Sequence, residues 1–338
     1  MRKKIIVTGG LGYIGSHTCV SLYLSGYEPI IIDNLSNSNI DVLKKIENIL
    51  DNNIKFYKAD CRKINELEEA ISSEKNIEGV IHFAALKSVS DSVDNPLEYY
   101  DNNVTGLLNI LKIIEKNNIS RFVFSSSCTV YGIPDTFPVS EKEPLKEPIS
   151  PYGWTKYIGE KIINQWSLKN KTNCILLRYF NPIGAHPSGL IGELPNGIPN
   201  NLVPYITQTA SGTRDFLTIY GDSYDTPDGT CIRDFIHVCD LAEAHVCALS
   251  YNNKDVHPSF FNIGTGRGYS VKELVETFEI VNNLKVKTKI GEKRQGDIPK
   301  IWAATEKSND VLGWRHKFSI EEALVDSWRW EKKLRNIK

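Results

Sequence analysis

The chain has 338 residues, of which 41% are hydrophobic and 24% charged, and its formal net charge is −1. This composition fits a globular protein with a large core, and the near-zero charge gives no electrostatic reason to expect nucleic-acid or anionic-membrane binding. No apolar stretch has the length of a membrane span, and seven cysteines without a C-x-x-C pair indicate free thiols in a reducing compartment. We therefore expect a cytoplasmic protein without a metal site.

Short apolar runs alternate with longer amphipathic segments through the first half of the chain. Runs typical of buried strands lie at 5–7, 30–32, 54–57, 80–83, 121–124 and 174–178. Helical patterns lie at 16–25, 66–72 and 103–115. The alternation predicts an α/β fold with a Rossmann-type, doubly wound parallel sheet covered by helices on both faces.

The amino-acid composition changes after Phe180. Residues 181–204 are rich in Pro, Gly and Asn, and such loops usually carry binding groups. We expect a first, sheet-forming domain at 1–180, with parts of about 234–263 rejoining it. A smaller α/β domain at 181–338 would bind the substrate.

A glycine-rich turn, TGGLGYIG at 8–15, separates the first predicted strand from the first predicted helix. Gly9, Gly12 and Gly15 would let the backbone turn sharply and approach a pyrophosphate, whose charge the helix N-terminus stabilises. In this strand–turn–helix context the pattern predicts a dinucleotide site rather than a purely structural turn.

Acidic residues follow the next two predicted strands. Asp33 can accept hydrogen bonds from an adenosine ribose and would repel a 2′-phosphate, which favours NAD over NADP. Asp60 is either an adenine contact or a loop cap.

Tyr152 and Lys156 form a Tyr-x-x-x-Lys pattern, so on a helix their side chains share one face. A tyrosine titrates near pH 10, and a nearby ammonium should lower that pKa by favouring the phenolate. Ser127 follows a predicted strand at the carboxyl edge of the sheet, where open α/β sheets bind ligands. Together these residues predict removal of a proton from an alcohol beside a nicotinamide ring.

Further motifs are spread over nearly the whole chain. They are TGGLGYIGSH from Thr8, DNLSNS from Asp33, HFAALKSV from His82, PLEYYDNNVTG from Pro96, FSSSCTVYG from Phe124, SPYGWTKYIGE from Ser150, LRYFNPIGAHPSG from Leu177, GIPNNLVPYI from Gly197, DGTCIRDFIHV from Asp228, FNIGTGRGYSV from Phe261 and RQGDIPKIWA from Arg294. In these motifs the chain resembles the extended short-chain dehydrogenases/reductases, and among them the UDP-glucose 4-epimerase family. Tyr-x-x-x-Lys marks only the superfamily, whereas NPIGAHPSG, PNNLVPY and RQGD are specific to the epimerases.

The resemblance implies which residues bind ligands. The NAD contacts would be Gly9, Gly12, Tyr13, Ile14, Gly15, Asp33, Asn34, Asp60, Phe83, Ala84, Lys87, Asn102, Ser125, Tyr152, Lys156 and Tyr179. The UDP-sugar contacts would be Ser127, Tyr152, Asn181, Asn201, Leu202, Thr218, Tyr220, Arg233, Arg294, Asp297 and Ile301.

The resemblance also implies a mechanism. Tyr152 would remove the proton from the sugar O4, with Ser127 orienting O4 and Lys156 holding the nicotinamide ribose. The C4 hydride would pass to bound NAD and return to the other face of the 4-keto sugar. A homodimer is also implied. The apolar helix at 103–115 fits a dimer seam, because a helix that is buried all round needs a partner besides the sheet. Burial of this helix inside one domain is the alternative.

Three alternatives bear on this interpretation. A nucleotide-sugar dehydratase would need an Asp-Glu pair near 126–128, which the sequence lacks. A Rossmann protein that senses NAD without catalysis is disfavoured by the intact Tyr152 and Lys156. A UDP-N-acetylglucosamine 4-epimerase, or an enzyme of dual specificity, stays open because Ile301 is intermediate between the Tyr of glucose-restricted relatives and the small residue of N-acetyl-accepting ones.

Overall fold

The computed structural model of the chain describes residues 2–253, 255, 257–294 and 297–337. Its strands are β1 (Lys3–Thr8), β2 (Tyr27–Asp33), β3 (Lys55–Lys58), β4 (Ile77–His82), β5 (Arg121–Ser127), β6 (Asn173–Tyr179), β7 (Asn181–Ile183), β8 (Leu217–Tyr220), β9 (Ile232–His237), β10 (Ser259–Ile263), β11 (Gly268–Ser270), β12 (Thr288–Gly291) and β13 (Lys300–Ile301).

The α-helices are α1 (Tyr13–Leu24), α2 (Asp41–Leu50), α3 (Ile64–Ile71), α4 (Val89–Asp94), α5 (Pro96–Tyr100), α6 (Gly106–Lys116), α7 (Pro151–Ser167), α8 (Leu202–Ala210), α9 (Val238–Ser250), α10 (Val271–Asn282), α11 (Glu306–Asp310) and α12 (Ile320–Arg335). A π-helical turn, Asp101–Thr105, joins α5 to α6, and a 3₁₀ turn, Cys128–Tyr131, follows β5. No helix in the described ranges is both long and apolar enough to cross a bilayer.

The large sheet is parallel throughout, with strand order β3-β2-β1-β4-β5-β6-β10. Successive strand residues point to opposite faces: Ile5 and Val7 join the core beside α1 and α9, whereas Ile6 joins the core beside α3, α6 and α7. The fold is therefore the predicted doubly wound α/β type. The direction of winding reverses between β1 and β4, so a ligand crevice is expected where their carboxyl ends diverge.

A second lobe is built on β9. This strand pairs with β7, β11 and β13, while β8 and β12 form a separate parallel pair. Helices α8, α10 and α12 contribute apolar residues to one core with these strands. Strand β10 belongs to the large sheet and α9 packs on α1, so the chain crosses between the two sheets more than once.

The apolar helix after Asn102 departs from the sequence prediction. Its first turn is π-helical, and Leu107, Ile110, Leu111 and Ile114 of α6 are buried against the chain's own sheet and neighbouring helices. Only Leu108 of the predicted apolar set is exposed, at 40%. Burial within the chain therefore accounts for most of the apolar pattern of this helix.

Candidate active site

The glycine turn needs glycine because its backbone packs closely against neighbouring main-chain atoms. Gly9 has a positive φ of 68°, and a Cβ there would lie 2.8 Å from Ala84 N. A Cβ on Gly15 would lie 2.2 Å from Gly9 O. Gly12 caps α1 without a side-chain hydrogen bond, so the first N–H groups of the helix face an open turn. These residues fit the phosphates of a dinucleotide.

Asp33 lies at the carboxyl end of β2 and is buried. Its Oδ2 accepts from Leu11 N at 3.1 Å, and its Oδ1 accepts from Leu35 N at 3.0 Å and Ser38 Oγ at 2.8 Å. The carboxylate is thus held between the glycine turn and the loop after β2. A fixed carboxylate at this position suits a ribose diol and disfavours a phosphate.

Asp60 serves as a loop cap. It accepts from Arg62 N at 2.9 Å and from Arg62 Nη2 at 2.7 Å, and Asn34 Nδ2 donates to it at 3.3 Å. Hydrogen bonds from the Arg62 side chain are the main reason that its pKa falls to about 2. Asp60 also lines the crevice, together with Ala59 and Cys61.

One crevice collects eight of the predicted cofactor residues. It is lined by Gly9, Gly12, Ile32, Asp33, Asn34, Ser36, Asn37, Ser38, Ala59, Asp60, Cys61, Phe83, Ala84, Ala85, Leu86 and Asn102. The other eight were missed, although three of them, Ser36, Asn37 and Ser38, lie within the DNLSNS motif. Among the predicted contacts outside this crevice, Tyr13 donates its hydroxyl to Gly184 O at 2.7 Å, and Ile14 packs against the core beside α1.

Tyr152, Lys156 and Ser127 meet at the carboxyl edge of the sheet. Ser150 caps α7 by accepting from Gly153 N, and Pro151 starts the helix, so Tyr152 and Lys156 occupy its first two turns. Ser127 ends β5, and its hydroxyl lies near enough to the Tyr152 phenol to lower the pKa of that phenol. Lys156 Nζ donates to Ser125 O at 2.7 Å, which fixes the lysine beside the same strand end.

The expected lowering of the Tyr152 pKa does not occur in the polypeptide alone. Burial raises the pKa of Tyr152 to about 12, and the neighbouring Ser127 hydroxyl offsets only part of that rise. Burial also lowers the pKa of Lys156 to about 7, which removes much of its charge near neutral pH. Without the cofactor, desolvation of the phenolate is therefore the largest influence on the pKa of Tyr152.

A buried polar network, absent from the sequence prediction, lies beneath these residues. Arg178 on β6 forms a two-bond ion pair with Glu160 on α7, through Nε to Oε1 at 2.9 Å and Nη2 to Oε2 at 2.7 Å. Ser126 Oγ donates to the same carboxylate at 2.6 Å. Glu160 therefore ties the helix of Tyr152 to the strand of Ser127. The Glu of SPYGWTKYIGE was the available signal.

Asn103 was also missed. Its Nδ2 donates to Leu86 O and to Thr155 Oγ1, each at 3.0 Å, and its Oδ1 accepts from Leu86 N at 2.8 Å and from Asn102 Nδ2 at 2.9 Å. The π-helical turn turns this buried amide toward α7. Asn103 thus joins the crevice loop after β4 to α7, the helix of Tyr152 and Lys156.

Tyr179 ends β6 in register with Ser127. Its hydroxyl lies 2.5 Å from His245 Nε2, while His245 Nδ1 lies 2.8 Å from Leu241 O. A carbonyl can only accept, so Nδ1 carries the histidine proton and Tyr179 donates to Nε2. Burial lowers the pKa of His245 to about 3, so this histidine is neutral and holds Tyr179 in place.

The predicted UDP contacts lie on the second lobe. Arg233 Nη2 is 3.8 Å from Asp297 Oδ1, and the Arg294 guanidinium lies 3.9 Å from the centre of the Tyr220 ring. Thr218 is on β8 with Tyr220, Asn181 is on β7, and Asn201 and Leu202 begin α8. Within the RQGD motif, Gln295 and Gly296 lie outside the described residues.

Ile301 is buried and pairs in register with Arg233 on β9. It packs in a small apolar cluster with Tyr131 and Phe180, and Cys128, the neighbour of Ser127, contacts the same cluster. Ile301 therefore lies between β9, which carries Arg233, and the end of β5, which carries Ser127.

Comparison with known proteins agrees with this geometry. Residues 5–264 match the NAD dependent epimerase/dehydratase family. Over 328 residues the chain is 48% identical to the UDP-glucose 4-epimerase of Bacillus subtilis (strain 168), covering 97% of this chain and 96% of that protein.

Two crystal structures are similarly close. The UDP-glucose 4-epimerase of Bifidobacterium longum in complex with NAD⁺ and UDP has a TM-score of 0.95 and 41% identity, covering 99% of this chain and 100% of that one. The UDP-glucose-4-epimerase of Stenotrophomonas maltophila, with bound NAD and formylated UDP-arabinopyranose, has a TM-score of 0.95 and 39% identity, with both chains covered fully at 100%. These matches confirm the resemblance carried by the motifs.

Proposed function

Because the chain belongs to the NAD dependent epimerase/dehydratase family, we propose that it interconverts UDP-glucose and UDP-galactose by inverting C4 of the sugar. The observation that carries this proposal is the meeting of Tyr152, Lys156 and Ser127 at the sheet edge. The named relatives supply the substrate class: UDP and a UDP-sugar are bound in the two similar crystal structures.

The crevice residues would hold the cofactor. Gly9, Gly12 and Gly15 with the start of α1 would bind its pyrophosphate, and Asp33 its adenosine ribose. Bound NAD supplies a reversible hydride acceptor for C4 and a positive ring charge that favours a nearby phenolate.

The chain's own residues move the proton. Tyr152 Oη takes the O4 proton as C4 is oxidised to the 4-keto sugar, and returns it when C4 is reduced from the other face. The Ser127 hydroxyl, which lies beside the phenol, orients O4. Lys156 holds the nicotinamide ribose from its position at Ser125 O. No net oxidation results.

The second lobe would keep the nucleotide in place while the sugar turns. Arg233 and Arg294 suit a diphosphate because guanidinium groups form charge-assisted, two-pronged hydrogen bonds with phosphate oxygens. Asp297, close to Arg233, would accept from the uridine ribose hydroxyls. Thr218 and Tyr220 on β8 would lie beside uracil.

A second candidate is activity on N-acetylated UDP-sugars. Ile301 favours it to a limited extent, because isoleucine takes less space than the tyrosine of glucose-restricted relatives. The buried packing of Ile301 against Phe180 and Tyr131 would limit how far this side chain can move away from a larger sugar.

We further propose that the protein is a cytoplasmic homodimer that serves galactose metabolism. Free cysteines throughout the described residues agree with a reducing compartment. Exposed Val89, Val93 and Leu97 on α4 and α5, with Leu108 on α6, supply apolar surface for a second copy.

The direct test supplies purified protein with UDP-galactose, without added NAD, and separates the products. We expect UDP-glucose to form. A parallel reaction with UDP-N-acetylgalactosamine tests whether N-acetylated UDP-sugars are also substrates. Absence of any 4-epimer from either substrate, in protein shown to contain NAD, would refute the proposal.

A further inference from the structure

Glu193 lies between two residues with different predicted ligands. Its Oε1 accepts from Lys87 Nζ at 2.6 Å and from Asn201 Nδ2 at 2.6 Å. Lys87 follows β4 of the large sheet, whereas Asn201 precedes α8 of the second lobe. One carboxylate oxygen therefore joins the predicted NAD side of the site to the predicted UDP side.

The main chain at Glu193 is held independently of this side chain. Trp330 Nε1 on α12 donates to Glu193 O at 3.1 Å. The preceding Gly192 lies flat on the Trp330 indole, where a Cβ would come within 2.5 Å of Cγ. Because the loop is anchored through backbone contacts, substitutions of the Glu193 side chain should leave its path intact.

The Glu193 carboxylate fixes the orientation of the Asn201 side-chain amide. If the amide were flipped, Asn201 Oδ1 would face the carboxylate and the two acceptors would repel each other. Nδ2 therefore points to Glu193, and Oδ1 is left to accept from a ligand. The same carboxylate also restrains the Lys87 ammonium. The Glu193 side chain is only 11% exposed, whereas the Lys87 side chain is 49% exposed.

We propose that Glu193 is a positioning residue for nucleotide-sugar binding, acting through Asn201 and Lys87. This inference rests on the proposed function, because it assumes that these two residues face UDP and NAD. In this proposal Glu193 acts only through these two side chains. Its loss should weaken UDP binding without altering the proton-transfer residues.

The experiment measures UDP binding to the NAD-containing protein by calorimetry, together with kcat and KM for UDP-galactose. Glu193→Ala should raise the Kd for UDP about tenfold, and Glu193→Gln about threefold, because the amide keeps an acceptor but loses the charge. The value of kcat should change less than about twofold in both variants. Glu243→Ala, which removes an exposed ion pair with Lys317, is the matched control and should leave Kd unchanged.

A double-variant comparison separates positioning from a general structural effect. In an Asn201→Ala, Lys87→Met background, adding Glu193→Gln should change the Kd for UDP by less than about 1.5-fold. A full additional threefold loss there, or unchanged or tighter UDP binding in the single variants, would overturn the proposal. Failure of the wild-type protein to bind UDP would instead overturn the proposed function.

Discussion

The Lys156 ammonium nitrogen lies 5.9 Å from the centre of the Tyr152 ring and donates to Ser125 O rather than to the phenol. Burial holds the pKa of Tyr152 at about 12 and that of Lys156 at about 7. The polypeptide alone therefore keeps the phenol protonated at neutral pH. If Tyr152 is the base, as we propose, its ionisation would be favoured by the positive charge of the bound nicotinamide ring.

This relationship predicts a cofactor-dependent titration of Tyr152. In protein stripped of NAD, the phenolate absorbance that is lost in Tyr152→Phe should appear only well above pH 10, because burial raises the pKa. With NAD bound, the same signal should appear at least about one pH unit lower, since an opposite charge favours the phenolate. Equal titration curves with and without NAD would contradict this account.

Tyr152→Phe should lower kcat by about 10²-fold to 10⁴-fold, the usual contribution of a general acid–base group. The Kd for UDP should stay within about twofold, because the nucleotide contacts lie on the second lobe. Tyr157→Phe, on the next turn of the same helix, is the control and should retain activity. Turnover above about half of the wild-type rate in Tyr152→Phe would remove the proton-transfer role.

The Arg178–Glu160 pair should stabilise the fold only as a complete pair. Arg178→Met leaves Glu160 charged in a dry environment and should lower the free energy of unfolding by about 3–5 kcal/mol. The double change Arg178→Met, Glu160→Met should recover at least about 1 kcal/mol of this loss, because no buried charge is left unpaired. Urea unfolding of the three proteins provides the values; a double variant less stable than Arg178→Met would argue against the explanation.

Local sequence patterns were enough to predict part of this structure. The glycine turn, Asp33 at the end of β2, and the Tyr152–Lys156 spacing each depend on a few consecutive residues, and the strand–helix alternation dictates the doubly wound sheet. The predicted UDP contacts on the second lobe came from the resemblance of longer motifs to a known family, because no local pattern indicated them.

The remaining features depend on tertiary packing. Glu193 and Lys87 are separated by 106 positions, so their contact has no local signal. The raised pKa of Tyr152 follows from burial, which the pattern at 150–156 does not encode. The apolar residues of α6 gave no information on whether the chain's own sheet or a second subunit covers them.

Ile301 provides the prediction on substrate breadth. Ile301→Tyr should abolish any turnover of UDP-N-acetylgalactosamine while UDP-galactose turnover stays within about threefold, because the larger ring would occupy space needed by the acetamido group. The ratio of kcat/KM for the two substrates measures this effect. Ile301→Val, which removes a single methylene, is the conservative control and should not reduce the N-acetyl activity. An unchanged ratio in Ile301→Tyr would show that this residue does not control access.

The most direct measurement follows deuterium placed at C4 of UDP-galactose during conversion in ordinary water. If the C4 hydrogen leaves and returns as a hydride while Tyr152 exchanges only the O4 proton, the UDP-glucose formed keeps its deuterium at C4. Replacement of that deuterium by solvent hydrogen would contradict the account, because it would require a proton rather than a hydride to move at C4.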